Sequence, residues 1–228
     1  MPGGGGELRL MQRGSEFSIM SGTTELMNSR LSGSEAALAT LACDRLGARP
    51  APRMLIGGLG MGFTLRAAQA VLPGDAEIVV AELVPAVVAW ARGPLAGVFG
   101  ASLDDSRVTL RELDVADLIK EGRGDYDAIL LDVDNGPEGL SRRANDRLYS
   151  SAGLRAARAA LRPGGVLAVW SSGPDPAFTL RLRQAGFGVE EIKVRANGAR
   201  GGARHVIWMA SNGGGNTGNP PRRPGARA

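Results

Sequence analysis

Short apolar runs alternate with segments of helical periodicity along most of the chain, and this pattern predicts the fold class. An apolar helix is predicted at 36–46, opened by Ser34 and Glu35. Beyond it, strands are predicted at 54–56, 78–81, 108–110, 128–131 and 166–170, and helices at 63–71, 85–90, 153–161 and 174–185. Buried strands that alternate with helices are typical of parallel sheets. We therefore predict an α/β fold with a doubly wound, mostly parallel sheet.

The two ends of the chain depart from this alternation. Apolar runs at 8–11 and 17–20 flank a turn and predict a small N-terminal β-hairpin. Runs at 189–194 and 205–210, joined by a glycine-rich segment, predict that the sheet closes with an antiparallel hairpin. The extreme ends are too rich in Gly, Asn, Pro and Arg to pack a core. We expect a cap over residues 1–30 with 1–6 disordered, one α/β domain over 31–210 and a disordered tail over 211–228.

The most distinctive motif is a glycine-rich turn after the first strand of the main sheet. Residues 53–62 read Arg-Met-Leu-Ile-Gly-Gly-Leu-Gly-Met-Gly, and a helical segment follows at once. Glycine accepts positive φ and has no Cβ, so the backbone can approach a ligand closely at the start of a helix. The motif predicts a cofactor loop formed by Gly57, Gly58, Gly60 and Gly62. A plain strand-to-helix connection is the alternative.

Acidic residues end the next two apolar runs. Glu82 lies twenty residues after Gly62, where a carboxylate can accept hydrogen bonds from both hydroxyls of a ribose. Asp114 ends the following run, where it can accept from an adenine amino group while Val115 packs on the ring. Asp114 fits the N-cap of a helix equally well, and both interpretations stay open.

The fourth apolar run ends in Asp132, followed by the polar turn Asp134-Asn-Gly136. Open parallel sheets present their reacting groups at this position, so Asp132 is a candidate site residue. A solvated turn is the alternative. His205 is the one histidine, and its place in the last predicted strand favours a structural role. No set of residues has the spacing of a metal site, so we expect no metal.

Composition narrows the class of protein. The chain has 228 residues, 43% of them hydrophobic, and a net charge of +4. The arginines are scattered and form no stripe with aromatic residues, which argues against a nucleic-acid partner. No apolar run is long enough to span a membrane, and no secretion signal opens the chain. The single cysteine, Cys43, lies in an apolar helix and fits a reducing cytosol, so we expect a cytoplasmic protein.

These motifs, taken in order, resemble a known family. The segments are Leu55-Ile-Gly-Gly-Leu-Gly-Met-Gly62, Ala81-Glu-Leu-Val-Pro85, Leu113-Asp-Val115, Tyr126-Asp-Ala-Ile-Leu-Leu-Asp132 with Gly136-Pro137, and Leu161-Arg-Pro-Gly-Gly-Val166. They resemble the class I S-adenosylmethionine-dependent methyltransferases, and within them the spermidine synthase-like branch. The resemblance covers roughly residues 8–210. It implies a Rossmann-like domain that binds S-adenosylmethionine or its decarboxylated form, and a homodimer.

The resemblance also assigns roles to the motif residues. It implies that the glycine loop contacts the amino-acid end of the cofactor, Glu82 with the adjacent Leu83 the ribose region, and Asp114 with Val115 the adenine. Asp132 stands where aminopropyltransferases keep the acid that helps to deprotonate the attacking amine, so it is the best candidate for a catalytic base. In methyltransferases an Asp at this strand end often only shapes the cofactor pocket, so Asp132 is also a candidate cofactor-binding residue.

Three departures from the spermidine synthase pattern favour methyl transfer to a small or medium-sized acceptor. The glycine loop reads Leu59-Gly-Met61 and lacks the acid that binds the amine of the decarboxylated cofactor. Asn135 replaces a second acid that holds the diamine, with Asp134 one position early. The acidic element of the polyamine tunnel is reduced to Glu35, which alternatively is an ordinary acid of a first helical turn.

Glu35, Asp134 and Asn135 are therefore the candidate substrate-binding residues. Aminopropyl transfer and a non-catalytic binding protein remain alternatives, and the glycine loop with Glu82 alone would also fit a nicotinamide-dependent oxidoreductase.

Overall fold

The computed structural model describes residues 7–133, 137, 147–198 and 201–213. The strands are β1 (Leu8–Arg13), β2 (Glu16–Ser21), β3 (Thr24–Asn28), β4 (Arg53–Gly57), β5 (Glu77–Glu82), β6 (Val108–Glu112), β7 (Tyr126–Leu131), β8 (Leu161–Ser171), β9 (Gly188–Arg195) and β10 (Arg204–Asn212). The helices are α1 (Gly33–Leu46), α2 (Phe63–Val71), α3 (Pro85–Arg92), α4 (Ala96–Phe99), α5 (Val115–Glu121), α6 (Ser151–Ala160) and α7 (Pro176–Gln184), with a 3₁₀ turn at Ser102–Asp104.

The main sheet has seven strands in the order β6-β5-β4-β7-β8-β10-β9. Strands β4 to β8 run parallel, and β10 is antiparallel to both β8 and β9. The chain moves from β4 outward through β5 and β6, then returns to place β7 on the other side of β4. This confirms the predicted doubly wound sheet and its closing hairpin. It also puts a topological switch point between β4 and β7, the usual ligand site of such sheets.

Two hydrophobic clusters cover the two faces of the sheet. In β4, Met54 and Ile56 point into one cluster and Leu55 into the other, and all three are completely buried. Helices α1, α2 and α3 pack on the first face, and α5, α6 and α7 pack on the second. Burial of an aliphatic side chain contributes about 1.5–3 kcal/mol. The near-continuous apolar run of β4 is therefore explained by burial on both sides.

The N-terminal segment forms a three-stranded antiparallel sheet in the order β1-β2-β3. The predicted hairpin is present as β1 and β2, and β3 adds a strand that the sequence pattern did not predict. Ile19 of β2 is buried in the same cluster as α1 and α2. The small sheet is thus packed onto the main domain, where β3 comes close to the glycine loop.

Strand β10 continues two residues beyond its predicted end at 210. The Asn212 side chain donates to the carbonyls of Arg158, Leu161 and Arg162 at 3.2, 3.1 and 3.2 Å, which fixes the end of the strand. The division into cap, domain and tail stays a prediction. Within the ranges given above, no helix is long and apolar enough to cross a membrane.

Candidate functional site

The glycine loop connects β4 to α2 and is held closely against its neighbours. The Gly58 N–H donates to the carbonyl of Ala81 at 2.9 Å, and the Asp132 N–H donates to the carbonyl of Gly57 at 3.0 Å. Gly58 has φ of +92°, and a Cβ on it would overlap the Asp132 carbonyl oxygen. Glycine at this position therefore lets the loop pass directly over the end of β7.

The far end of the loop needs glycine for a similar reason. Gly62 is the N-cap of α2 with φ of +76°, and a Cβ there would overlap the Phe99 ring. At Gly60 a Cβ would lie 3.0 Å from the sulfur of Met27, and at Gly57 it would lie 3.0 Å from Val115. The loop is thus enclosed by β3 on one side and by α4 and α5 on the others.

Glu82 fixes the shape of the loop. Its side chain is only 7% exposed. One carboxylate oxygen accepts from the Leu59 N–H at 2.9 Å, and the other accepts from the Val84 N–H at 2.8 Å. The second bond closes a short turn in which Leu83 lies between Glu82 and Val84. Each carboxylate oxygen has a further lone pair, so these bonds leave Glu82 able to accept from a ligand hydroxyl.

Asp114 is the N-cap of α5. Its side chain accepts from the Ala116 N–H at 2.9 Å. The helix-capping interpretation of Asp114 is therefore present in the structure. The neighbouring Val115 is buried and packs against Gly57. The capping bond uses one carboxylate oxygen, so it explains the residue type at this position without any ligand.

A pocket opens at the switch point of the main sheet. Its walls come from β3, the first turn of α1, the glycine loop and the ends of β7 and β8, and the lining residues are Leu26, Met27, Glu35, Leu59, Gly60, Met61, Phe63, Asp132 and Trp170. Of these residues, the charged ones are Glu35 and Asp132. The pocket is therefore negatively charged and otherwise mostly apolar.

The pocket brings together three of the predicted site residues, which are Glu35, Gly60 and Asp132. The remaining predicted cofactor residues lie outside its lining, either within the loop or at the ends of β5 and β6: Gly57, Gly58, Gly62, Glu82, Leu83, Asp114 and Val115. Asp134 and Asn135 lie outside the described residues.

Asp132 has an environment suited to proton transfer. Its Oδ2 accepts from the buried Thr64 hydroxyl at 2.6 Å. Burial and the negative charge of Glu35 raise the pKa of Asp132 to about 7, while the hydrogen bond from Thr64 acts in the opposite direction. A carboxyl group with a pKa near neutrality can both accept and release a proton under ordinary conditions.

The structure adds residues that sequence reasoning did not assign to the site. Thr64 binds Asp132, Trp170 lines the pocket, and Ser34 and His205 connect to Glu35. The indole N–H of Trp170 is buried and has no hydrogen-bond partner among the described residues. Thr64 is the second residue of α2 and follows the glycine loop directly. Its position beside this motif is the sequence signal by which it could have been assigned to the site.

Solved structures with this fold include spermidine synthases. The spermidine synthase from Thermotoga maritima has a TM-score of 0.67 and 18% identity, covering 90% of this chain and 69% of that chain. A spermidine synthase in complex with the transition state analogue AdoDATO has a TM-score of 0.70 and 18% identity, covering 90% of this chain and 70% of that one.

A third similar structure has a different name. TrmN from Thermus thermophilus has a TM-score of 0.54 and 25% identity, and the match covers 78% of this chain and 47% of that one. No protein-family model matches the sequence, and no curated protein matches it significantly. The chain therefore has the fold of these spermidine synthases, as its motifs predict.

Proposed function

We propose that the chain is an S-adenosylmethionine-dependent transferase that moves a methyl group to a small or medium-sized acceptor. One observation carries this proposal: a single pocket joins the glycine loop, at Gly60, to the carboxyl group of Asp132. The pocket lies at the switch point of the sheet, where open α/β sheets bind their ligands. The proposed cofactor loop and the candidate base thus line one pocket.

The glycine loop supports binding of a cofactor that carries a carboxylate. The main-chain N–H groups of Gly60 and Met61 donate to no residue of the described chain, and no acid stands in the loop. The adjacent N-terminus of α2 adds partial positive charge. A carboxylate is the group that distinguishes S-adenosylmethionine from its decarboxylated form. These donors therefore favour the methyl donor.

The ends of β5 and β6 are proposed to hold the nucleoside part of the cofactor. Glu82 retains lone pairs for ribose hydroxyls. Leu83 stands beside it, and Asp114 with Val115 follows the next strand outward. We assign adenine to Asp114 and Val115 as part of this proposal, in addition to the capping bond that Asp114 makes.

The proposed chemistry is proton removal from an acceptor held for in-line attack. The cofactor supplies an electrophilic methyl group on its sulfonium centre. Thr64 occupies Oδ2 of Asp132, so Oδ1 is the oxygen available to take a proton from an amine or hydroxyl. Glu35, Asp134 and Asn135 are proposed to bind the acceptor. The apolar walls exclude water and hold the acceptor in position.

Calorimetric titration of the purified protein tests this proposal. S-adenosylmethionine should bind more tightly than its decarboxylated form, and NAD serves as a nucleotide control that should not bind. The Asp132→Asn variant should keep the affinity for S-adenosylmethionine and lose turnover in an acceptor screen. Absence of S-adenosylmethionine binding would contradict the proposal and favour a non-catalytic protein that keeps the fold.

Aminopropyl transfer is the second candidate, and the charge of the pocket favours it. Glu35 and Asp132 give the pocket two carboxyl groups with no cationic side chain among the lining residues. Such a pocket attracts a cationic amine. Tighter binding of the decarboxylated cofactor in the same titration would select this candidate, and polyamines would then be the acceptors to test.

The acceptor class and the location of the protein are proposed from the sequence, and its oligomeric state is proposed from the family resemblance. A small-molecule acceptor, a homodimer and a cytoplasmic location stay predictions. Size-exclusion chromatography with light scattering checks the dimer directly.

A further inference from the structure

A chain of hydrogen bonds links the last strand of the sheet to the pocket. His205 of β10 lies with its Nδ1 2.9 Å from the hydroxyl oxygen of Ser34. The Ser34 hydroxyl donates in turn to a carboxylate oxygen of Glu35 at 2.7 Å. Glu35 lines the pocket together with Asp132. Residues 171 positions apart in sequence thus form one connected series.

The direction of donation along this series follows from simple chemistry. An ionised carboxylate can only accept, so the single hydroxyl proton of Ser34 points to Glu35. The Ser34 oxygen must then accept from His205, and this requires the proton on Nδ1 of the ring. Burial lowers the pKa of His205, with Glu35 acting in the opposite direction. The ring is therefore neutral at pH 7, in the Nδ1–H form.

The surrounding structure holds the series in place. Ser34 is completely buried. The Gly33 N–H donates to the Ala196 carbonyl at 2.9 Å, which ties the start of α1 to the end of β9. The His205 ring meets Trp170 edge to face, with ring centroids 4.8 Å apart. Both ends of the series are thus fixed by backbone and aromatic contacts.

Few charged side chains of the described residues face Asp132 and His205. Asp132 faces Glu35 of α1 and the neutral Thr64 hydroxyl of α2. His205 pairs with Val194 of β9, and the flanking Lys193 and Arg195 point to the opposite face because side chains alternate along a strand. Of the charged groups in the described part of the chain, Glu35 is therefore the one that couples His205 to Asp132.

We propose, on the basis of the transferase function proposed above, that His205 is a positioning residue that acts through Ser34 to hold the Glu35 carboxylate beside Asp132. In this role His205 does not touch the substrate. It keeps a negative charge next to the base, and that charge helps to hold the pKa of Asp132 near neutrality. A break anywhere in the series lets the Glu35 carboxylate move away from Asp132. This movement lowers the pKa of Asp132.

Nitrogen NMR of the imidazole tests the series without any assay of function. The sequence has one histidine, so the ring signals need no assignment. At pH 8 the wild-type ring should carry its proton on Nδ1, and Ser34→Ala should move the proton toward Nε2. A wild-type ring protonated on Nε2 would overturn the proposal.

Carboxyl-carbon NMR then tests the effect on Asp132, whose signal is identified by its absence in Asp132→Asn. Glu35→Gln should lower the titration midpoint of Asp132 by roughly one pH unit or more. His205→Gln should lower it in the same direction. His205→Asn should keep it close to wild type, because the Asn amide nitrogen is as many bonds from Cβ as Nδ1 is, whereas the Gln amide reaches the place of Nε2.

This pair of variants separates positioning from general damage, because both lose the ring and its contact with Trp170. Equal midpoints in His205→Asn and His205→Gln, or no change in either, would overturn the proposal. If the NMR results hold and no acceptor is methylated, the proposed function fails while the positioning role of His205 stands. If turnover is found, its acid limb should shift with the Asp132 midpoint.

Discussion

Asp132 is expected to destabilise the folded protein at neutral and alkaline pH, and Asp132→Asn reveals how much. The pKa of Asp132 is raised from an ordinary value of 3.8 to about 7 in the folded state. Between these two values the folded protein binds a proton that the unfolded chain has lost. Stability contributed by this proton is present below pH 4 and is lost as the pH rises through 7.

The structure sets the size of the effect. A difference of roughly three pKa units corresponds to at most about 4 kcal/mol, at about 1.4 kcal/mol per unit. Relaxation of the pocket and entry of water reduce this figure, so we expect about 1–3 kcal/mol. Asparagine is neutral at every pH and its side-chain oxygen can still accept from Thr64. The variant should therefore be closest to the wild type in stability at pH 5, gain on it between pH 5 and 7, and keep nearly the same advantage from pH 7 to 9.

Urea unfolding of both proteins at pH 5, 7 and 9 measures this difference. Titrating groups far from Asp132 are shared by the two proteins and cancel in the comparison. Asp117→Asn, on the exposed side of α5, is the matched control and should give a difference that does not change with pH. A difference between Asp132→Asn and the wild type that stays constant from pH 5 to 9 would refute the reasoning.

Three further changes test other parts of the structure. Gly62→Ala should destabilise the protein by about 2 kcal/mol or more in thermal unfolding, because φ is positive and a Cβ overlaps Phe99, whereas Gly74→Ala should change little. Glu82→Gln leaves one of two backbone N–H groups without an acceptor. It should therefore lower the free energy of unfolding in urea by about 1–3 kcal/mol and weaken S-adenosylmethionine binding. Unchanged affinity would mean that Glu82 does not support the loop. Asp127→Asn weakens a buried carboxylate that binds two arginines and a backbone N–H, so it should cost about 1–3 kcal/mol in the same assay, with unchanged calorimetric affinity for the cofactor.

The elements of the main sheet could be predicted because their signals are local. Helix α2 begins and ends at the predicted residues, since a glycine turn marks its start and an apolar periodicity marks its length. The closing hairpin is likewise visible as two β-type runs around glycines. Strand β3 was missed because Thr24–Asn28 is short and half polar, so its pattern does not differ from that of a loop.

The candidate site could be predicted only in part, because only some of its residues carry a local sequence signal. Gly60 and Asp132 belong to motifs whose positions in an α/β sheet follow from general rules. The contact between His205 and Ser34 joins residues 171 positions apart, and no local pattern reports it. The bonds of Glu82 to the loop backbone depend on the conformation of the loop itself. Such contacts arise from tertiary packing, which periodicity does not encode.

The position of Met27 gives the small N-terminal sheet a share in ligand recognition. Its sulfur packs on Gly60, and Met27 and its neighbour Leu26 form one wall of the pocket. By thermodynamic linkage, a ligand that needs this wall must also favour the docked arrangement of the sheet over any arrangement in which the sheet separates. Occupancy of the pocket should therefore protect residues 7–28 from proteases, so that cleavage in the small N-terminal sheet reports on a site whose other walls belong to the main domain.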